Sequence, residues 1–223
     1  MKPLIIAIDG PSGAGKGTVA RALASRLGYR HVDTGAMYRA VAKKAVENRL
    51  SLDDDTAVGE LAEHATLEVR DGIVRIDGID VAAAIRTGEI DHAAAVTARL
   101  PRVRATLVAR QREAGMNGGI VMEGRDVGTV VFPDADVKIY LDASLEERAR
   151  RRAADPAHGV GRTAALADVA SELRARDLSD RTRVASPLTK APDAIVVDTT
   201  GLTIDQVLER VSKIVHDAMS RKD

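Results

Sequence analysis

The chain is expected to fold as a three-layer α/β protein around a five-stranded parallel sheet, and three observations point there. Short apolar runs bounded by turn residues fall at positions 4–8, 30–32, 120–122, 137–141 and 194–197, the length and composition of strands buried on both faces. Helical patterns separate them. A glycine-rich stretch, Gly10-Pro11-Ser12-Gly13-Ala14-Gly15-Lys16-Gly17-Thr18, stands between the first run and the first helical pattern. Strand and helix alternating in this way imply right-handed crossovers with helices on both faces.

Taken in order, the first helix is expected over 18–27, with Gly28 placed as its left-handed C-terminal cap. A second helix starts near Ala36. Asp53-Asp54-Asp55 reads as the acid-rich start of a helix rather than a metal site, because aspartates cap free N–H groups and complement the helix dipole. Residues 67–80 then alternate apolar and polar around Asp71-Gly72 and Asp77-Gly78, the pattern of a small antiparallel meander. It interrupts the alternation between the second and third parallel strands, so residues 61–95 are taken as an inserted lobe. A helix follows over 89–99, and Pro101 opens another at the position where its missing N–H is tolerated. Ser144…Glu147 and Thr203…Gln206 have capping-box spacing and start the helices after the fourth and fifth strands.

Composition narrows the function classes. The 223 residues allow one domain with lobes. Lysine plus arginine equals aspartate plus glutamate at 33 each, so no electrostatic footprint for nucleic acid or a membrane surface is expected. No apolar run is long enough to span a bilayer, and the N-terminus enters a strand without a secretion signal. Cysteine is absent, which excludes disulfides and thiolate metal sites, and the five histidines are too scattered for a helical metal pair. With no tryptophan and one phenylalanine, stacking platforms for single-stranded nucleic acid are not expected. A monomeric cytoplasmic protein is the expectation.

The glycine-rich stretch has strand before, helix after, and Gly-Lys at the offset of a phosphate-binding loop. Its glycines let successive N–H groups form a nest, the helix adds its positive end, and Lys16 reaches the outer phosphates. A nucleoside triphosphate is the implied ligand. The loop departs from the strict pattern because Gly17 stands where Ser or Thr supplies a hydroxyl to magnesium. Thr18 then serves, or the ion keeps mostly water. GTP-driven switches are disfavoured, since Thr189-Lys190-Ala191-Pro192-Asp193 places its aspartate one residue too late to read guanine. An ATP-driven motor would need an apolar strand ending in an acid, and the run ending in Glu123 is a candidate, but Gly124-Arg125-Asp126 directly after it suits acceptor binding better. A second anomaly lies between Arg148 and Arg183, where nine arginines face five acids around a Pro/Gly-bearing break. It reads as a mobile lid over 148–165, against the alternative of a solvated helix face with ordinary ion pairs.

The loop, Asp33-Thr34-Gly35-Ala36-Met37-Tyr38-Arg39, Ile85-Arg86-Thr87, Pro101-Arg102-Val103-Arg104, the block from Gly124-Arg125-Asp126-Val127-Gly128-Thr129 to Pro133, Lys138 to Ser144 and the segment from Arg176 to Arg183 together resemble the bacterial cytidylate kinase family, in order along nearly the whole chain. The resemblance implies a phosphate-loop kinase fold and transfer of a phosphoryl group from ATP, with Mg2+, to CMP or dCMP. It implies that Gly10 to Thr18 hold ATP, that Arg39, Arg125 and Arg183 clamp the acceptor phosphate with Thr34 close by, and that Arg176 and Asp180 contact the ribose. Asp126 with Arg104 matches the pair that reads cytosine, a carboxylate being the acceptor that exploits the exocyclic amine. Tyr38 supports the acceptor lobe or simply packs, and Asp33 holds magnesium through water or caps a helix. Arg148, Arg151, Arg152 and Arg162 are assigned to the lid. The family's base-contacting serine, six residues before Pro101, is here Ala95, which leaves Thr97 or a water to replace it. A kinase of another small acceptor and a non-catalytic, nucleotide-gated binding protein are the competing readings.

Overall fold

The computed structural model describes residues 3–155 and 165–221. Strand β1 (Ile5–Asp9) is the centre of a parallel five-stranded sheet in the order β2 (Arg30–Asp33), β6 (Ile120–Gly124), β1, β7 (Val137–Asp142), β8 (Ile195–Asp198). Each strand lies within two residues of its apolar run. The runs under-read the carboxyl ends because pairing continues after hydrophobicity stops: Asp9 pairs with Gly124 and Asp33 with Glu123.

Side-chain alternation along β1 feeds both faces. Ile6 and Ile8 join Val19 and Leu23 of α1 (Lys16–Leu27) and Val207 and Val211 of α8 (Ile204–Met219). Ala7 turns the other way, toward Val41 of α2 (Thr34–Glu47) and Val103 and Leu107 of α5 (Pro101–Gly115). Gly28 closes α1 at φ 63°, and Thr203 and Gln206 form the complete capping box of α8. The chain runs from β1 to the edge at β2, later crosses to β7, and so reverses direction at β1. That reversal opens a crevice at the carboxyl ends of the central strands. Gly10 leaves β1 at φ 148°, and a Cβ there would sit 2.0 Å from the Leu141 carbonyl oxygen. Only glycine lets the loop pass so close to β7.

The segment between β2 and β6 opens with α3 (Asp55–His64), where the Asp54 carboxylate accepts from the Thr56 and Ala57 N–H groups at 3.0 Å. The meander follows as β3 (Leu67–Arg70), β4 (Ile73–Ile76) and β5 (Ile79–Asp80), antiparallel throughout. Positive φ at Asp71, Gly72, Asp77 and Gly78 gives both turns the sense that matches strand twist. Val74, Ile76 and Ile85 pack on Ala36 and Ala40 of α2 together with Ile90 of α4 (Gly88–Thr97). Small residues on α2 let the meander approach, and paired bonds between Asp71 and His31 fasten its tip to β2.

On the far side, α6 (Leu145–Ala154), capped by Ser144, packs on α7 (Leu166–Thr182) through Ala149, Val169 and Leu173. The lid expected over 148–165 is thus described at its two ends; Arg162 lies outside the described residues. A π-helical turn at Val127–Val131 has no counterpart in the sequence pattern; its i→i+5 bonds run from the Val131 N–H to the Asp126 carbonyl and from Phe132 to Val127. No helix among the described residues is long and apolar enough to cross a membrane.

Candidate functional site: a cleft between a phosphate loop and a buried acid–arginine pair

A cleft of about 870 Å³ opens along the carboxyl edge of the sheet, with residues 12–18 lining one part and Tyr38, Arg104, Arg125, Asp126 and Arg183 another. The loop end is built on α1. Gly15, at φ 91°, precedes its first residue and supplies no side-chain cap, so the first N–H groups of the helix remain for an anionic ligand. Lys16 is buried, and its Nζ donates to the Pro11 carbonyl at 2.8 Å. Burial, with the Arg125 cation nearby, lowers the ammonium pKa to about 7, while Glu123, Asp9 and Asp180 pull the other way.

Glu123 explains the departure at Gly17. Its carboxylate lies against that residue, and a Cβ on Gly17 would come within 3.0 Å of Glu123 Oε1. A Ser or Thr there requires Glu123 to move. Glu123 is itself buried and held by His31 Nε2 at 3.2 Å. Thr18 still lines the cleft.

Two side chains support the loop from behind. Arg148 does not reach over the cleft, as its place among the lid arginines implied. It is buried on α6, where it donates to the Ser12 carbonyl at 3.2 Å and the Ala143 carbonyl at 3.1 Å and pairs with Asp177 at 2.8 Å. Its Cβ is close enough to exclude any side chain at Gly13, where a Cβ would approach to 2.9 Å. Thr199 Oγ1 has the Asp142 carbonyl (3.0 Å) and the Ala14 carbonyl (3.3 Å) within reach of its single proton, and accepts from Arg151 Nη1 at 2.9 Å.

At the other end Asp126 and Arg104 form a buried, hydrogen-bonded ion pair. Arg104 also donates to the Ala98 carbonyl at 3.1 Å, and its guanidinium lies 5.3 Å from the centroid of the Tyr38 ring, within cation–π range. Burial pushes the Tyr38 phenol up to about 12, against the pull of Arg104. One carboxylate oxygen of Asp126 is taken by Arg104; the other has Arg183 at 3.8 Å, beyond hydrogen-bond distance. Arg183 is held by its Nε on the Ser186 carbonyl at 2.7 Å, and Arg125 Nε donates to Asp180 at 2.9 Å. Burial pushes the Asp180 carboxyl up, but Arg125, Arg176 and Arg183 together hold it below the usual range. Arg39 pairs with Asp33 at 2.8 Å, and the other oxygen of Asp33 caps α2 on the Ala36 N–H at 3.0 Å. Burial raises the Asp33 carboxyl, but Arg39 and the cap outweigh it, leaving a net lowering. Thr34 lines the cleft and donates to the Glu123 carbonyl at 2.7 Å.

Among the described residues, Arg39 Nε, Arg104 Nε, Arg176 Nε and Arg183 Nη2 are buried without a hydrogen-bond partner. Spare guanidinium donors beside a cleft suit a polyanion, since arginine binds phosphate through a fork of N–H groups. The missing serine has no replacement from Thr97, which is fully buried and bonds back to the Ala94 carbonyl at 3.4 Å.

Sequence reading passed over Asp9, which hangs the acceptor turn from β1. Its two oxygens accept from the Val127 N–H at 2.9 Å and the Gly128 N–H at 2.7 Å. Burial raises its pKa to about 6, the two N–H groups opposing and Asp126 adding. An acid at the end of a strand before a phosphate loop was the available signal; its partners, more than a hundred residues away, were not.

Comparison with known proteins places the chain in a family. The sequence profile of the family described as "Cytidylate kinase" matches residues 6–217. A protein named cytidylate kinase from Solibacter usitatus is 46% identical over 98% of this chain and 95% of its own length, and one from Desulfitobacterium hafniense is 45% identical over 97% and 94%. In fold alone, the crystal structure of an uncharacterized protein from Eubacterium ventriosum is similar, with a TM-score of 0.51 at 10% identity, covering 94% of this chain and 96% of that one. The chain belongs to the cytidylate kinase family.

Proposed function

We propose that this protein transfers the γ-phosphoryl group of ATP to CMP, and to dCMP, releasing ADP and CDP or dCDP. The observation that carries the proposal is that one cleft holds both a phosphate loop and a buried Asp126–Arg104 pair, with Arg125 and Arg183 lining it as well. The loop and Lys16 take the triphosphate. Arg39, Arg125 and Arg183 take the acceptor phosphate, and Arg176 and Asp180 the ribose, a contact that tolerates a deoxyribose. Asp126 receives the exocyclic amine of cytosine on the oxygen that Arg104 leaves open.

Phosphoryl transfer needs alignment and cancellation of charge more than covalent help. The guanidiniums bring two polyanions together, and hydrogen bonds to their carboxylate partners are exchanged for phosphate oxygens as the acceptor arrives. The donors near the loop are oxygens, which fits Mg2+: Thr18, and Asp33 through water, would hold the ion, and it would neutralise charge on the outer phosphates. In the free protein the two Asp33 oxygens hold Arg39 and the Ala36 N–H, and Asp33 would reach the ion through water. The lobe over 61–95 and the lid expected over 148–165, with Arg148 itself fixed beneath the phosphate loop, close on the ligands and exclude water that would hydrolyse ATP. Balanced charge supports small nucleotides, and not nucleic acid, as the partners; the protein acts as a monomer in the cytoplasm, where ATP is plentiful.

A panel of monophosphates assayed with ATP tests this. CMP and dCMP are expected to lead by kcat/KM. If UMP or AMP outpaced CMP, the base-reading role of Asp126 would be wrong, and tight ATP binding without transfer to any acceptor would favour a non-catalytic nucleotide-binding protein.

A further inference from the structure

Asp91 has no part in the roles above, yet it is a buried carboxylate joining three helices. It sits on α4, one turn before Ala95, which lines the cleft. One oxygen accepts from Arg152 Nη2 of α6; the other lies 3.6 Å from Arg176 Nη1 of α7. Both arginines also line the cleft. Arg176 is crowded by like charge: after burial, the Arg125 cation is the main influence lowering its pKa, Arg39 adds to it, and Asp91 and Asp180 oppose them.

We infer that Asp91 is a positioning residue for the acceptor, bridging Arg152 and Arg176 so that both guanidiniums are in place before the monophosphate binds. The inference rests on the CMP kinase reading and adds to it a residue that anchors the ribose-contacting Arg176 and the lid's Arg152 to the inserted lobe. An arginine has a long, mobile side chain, and two of them in one cleft repel each other. A carboxylate shared between them offsets part of that repulsion and fixes both in advance. Fixing groups before a ligand arrives cuts the ordering cost of binding. Asp91 does not repel the phosphate in return, because its two oxygens face the two guanidiniums.

The test uses Asp91→Asn, which keeps shape and removes charge, and Asp91→Ser as a second variant should the first fail to fold. In both, KM for CMP should rise about 10-fold and kcat fall less, while KM for ATP stays within about twofold. Titration calorimetry should show the same loss in CMP affinity, so positioning is read without turnover. A merely structural role would lower the melting temperature and raise both KM values together, which overturns the proposal. An unchanged or lowered KM for CMP overturns it as well. In an Arg152→Ala, Arg176→Ala background, Asp91→Asn should add less than about twofold if it acts through those arginines; a full-size effect there contradicts it. A wild type that binds CMP without phosphorylating it would defeat the activity reading alone, with the calorimetry still deciding the role of Asp91.

Discussion

Lys16→Ala is expected to lower kcat by a factor of about 100 to 1,000 with every acceptor, the range seen when one preorganised donor to a developing anion is removed. The ammonium is the one cation built into the phosphate loop itself, and in the free protein it is parked on the Pro11 carbonyl. Burial and Arg125 hold its pKa near 7, so a large fraction is neutral at pH 8 before ATP binds. The triphosphate favours the charged form and draws a proton on. ATP binding is therefore expected to take up close to one proton at pH 8 and little at pH 6, because below the free-state pKa the group is already charged. Calorimetry in two buffers of different ionisation enthalpy reads this directly, and Lys16→Ala should abolish the uptake. Near-normal turnover of the variant would count against the donor-site assignment.

Asp126→Asn is expected to reduce the preference for CMP over UMP by a factor of roughly 30 to 100, equivalent to about 2–3 kcal/mol, the worth of a good pairing to a base edge. The carboxylate only accepts. It suits the cytosine amine and repels the uracil carbonyl, whereas an asparagine can rotate its amide to suit either. Absolute rates should fall for both acceptors, since the variant leaves Arg104 buried without its hydrogen-bonded counter-ion. The ratio of the two kcat/KM values cancels that loss. Ala95 has no hydroxyl and Thr97 is fully buried, so on the proposed reading the discrimination against uracil falls to Asp126. An unchanged ratio would refute the assignment.

Much of the fold was legible because its signals are local. Buried parallel strands are continuous apolar runs, and the meander is announced by two Asp-Gly turns whose residues adopt the positive φ that such turns need. Gly28, Asp54, Ser144 and Thr203 mark helix ends by chemistry confined to a few residues. The π-helical turn at Val127–Val131 was not legible, because it is imposed from outside by the Asp9 carboxylate on two consecutive N–H groups.

The site divides in the same way. The loop and the Gly124-Arg125-Asp126 block are contiguous in sequence and could be picked out. The partners that orient them are not contiguous: Asp180 for Arg125, Glu123 against Gly17, Asp91 between Arg152 and Arg176. Arg148 shows the limit most plainly. Within an arginine-rich stretch it is indistinguishable from its neighbours by type, and only its position on the inner face of α6, opposite Ser12 and Asp177, makes it a support for the phosphate loop.

The most direct test of the central claim is a crystal structure with CMP and a non-hydrolysable ATP analogue bound together. The exocyclic amine of cytosine should lie within hydrogen-bond distance of Asp126, with the CMP phosphate on Arg39, Arg125 and Arg183 and in line with the outer phosphate held at Lys16. A cytosine amine turned away from Asp126, or an acceptor phosphate bound elsewhere than on those guanidiniums, would contradict it.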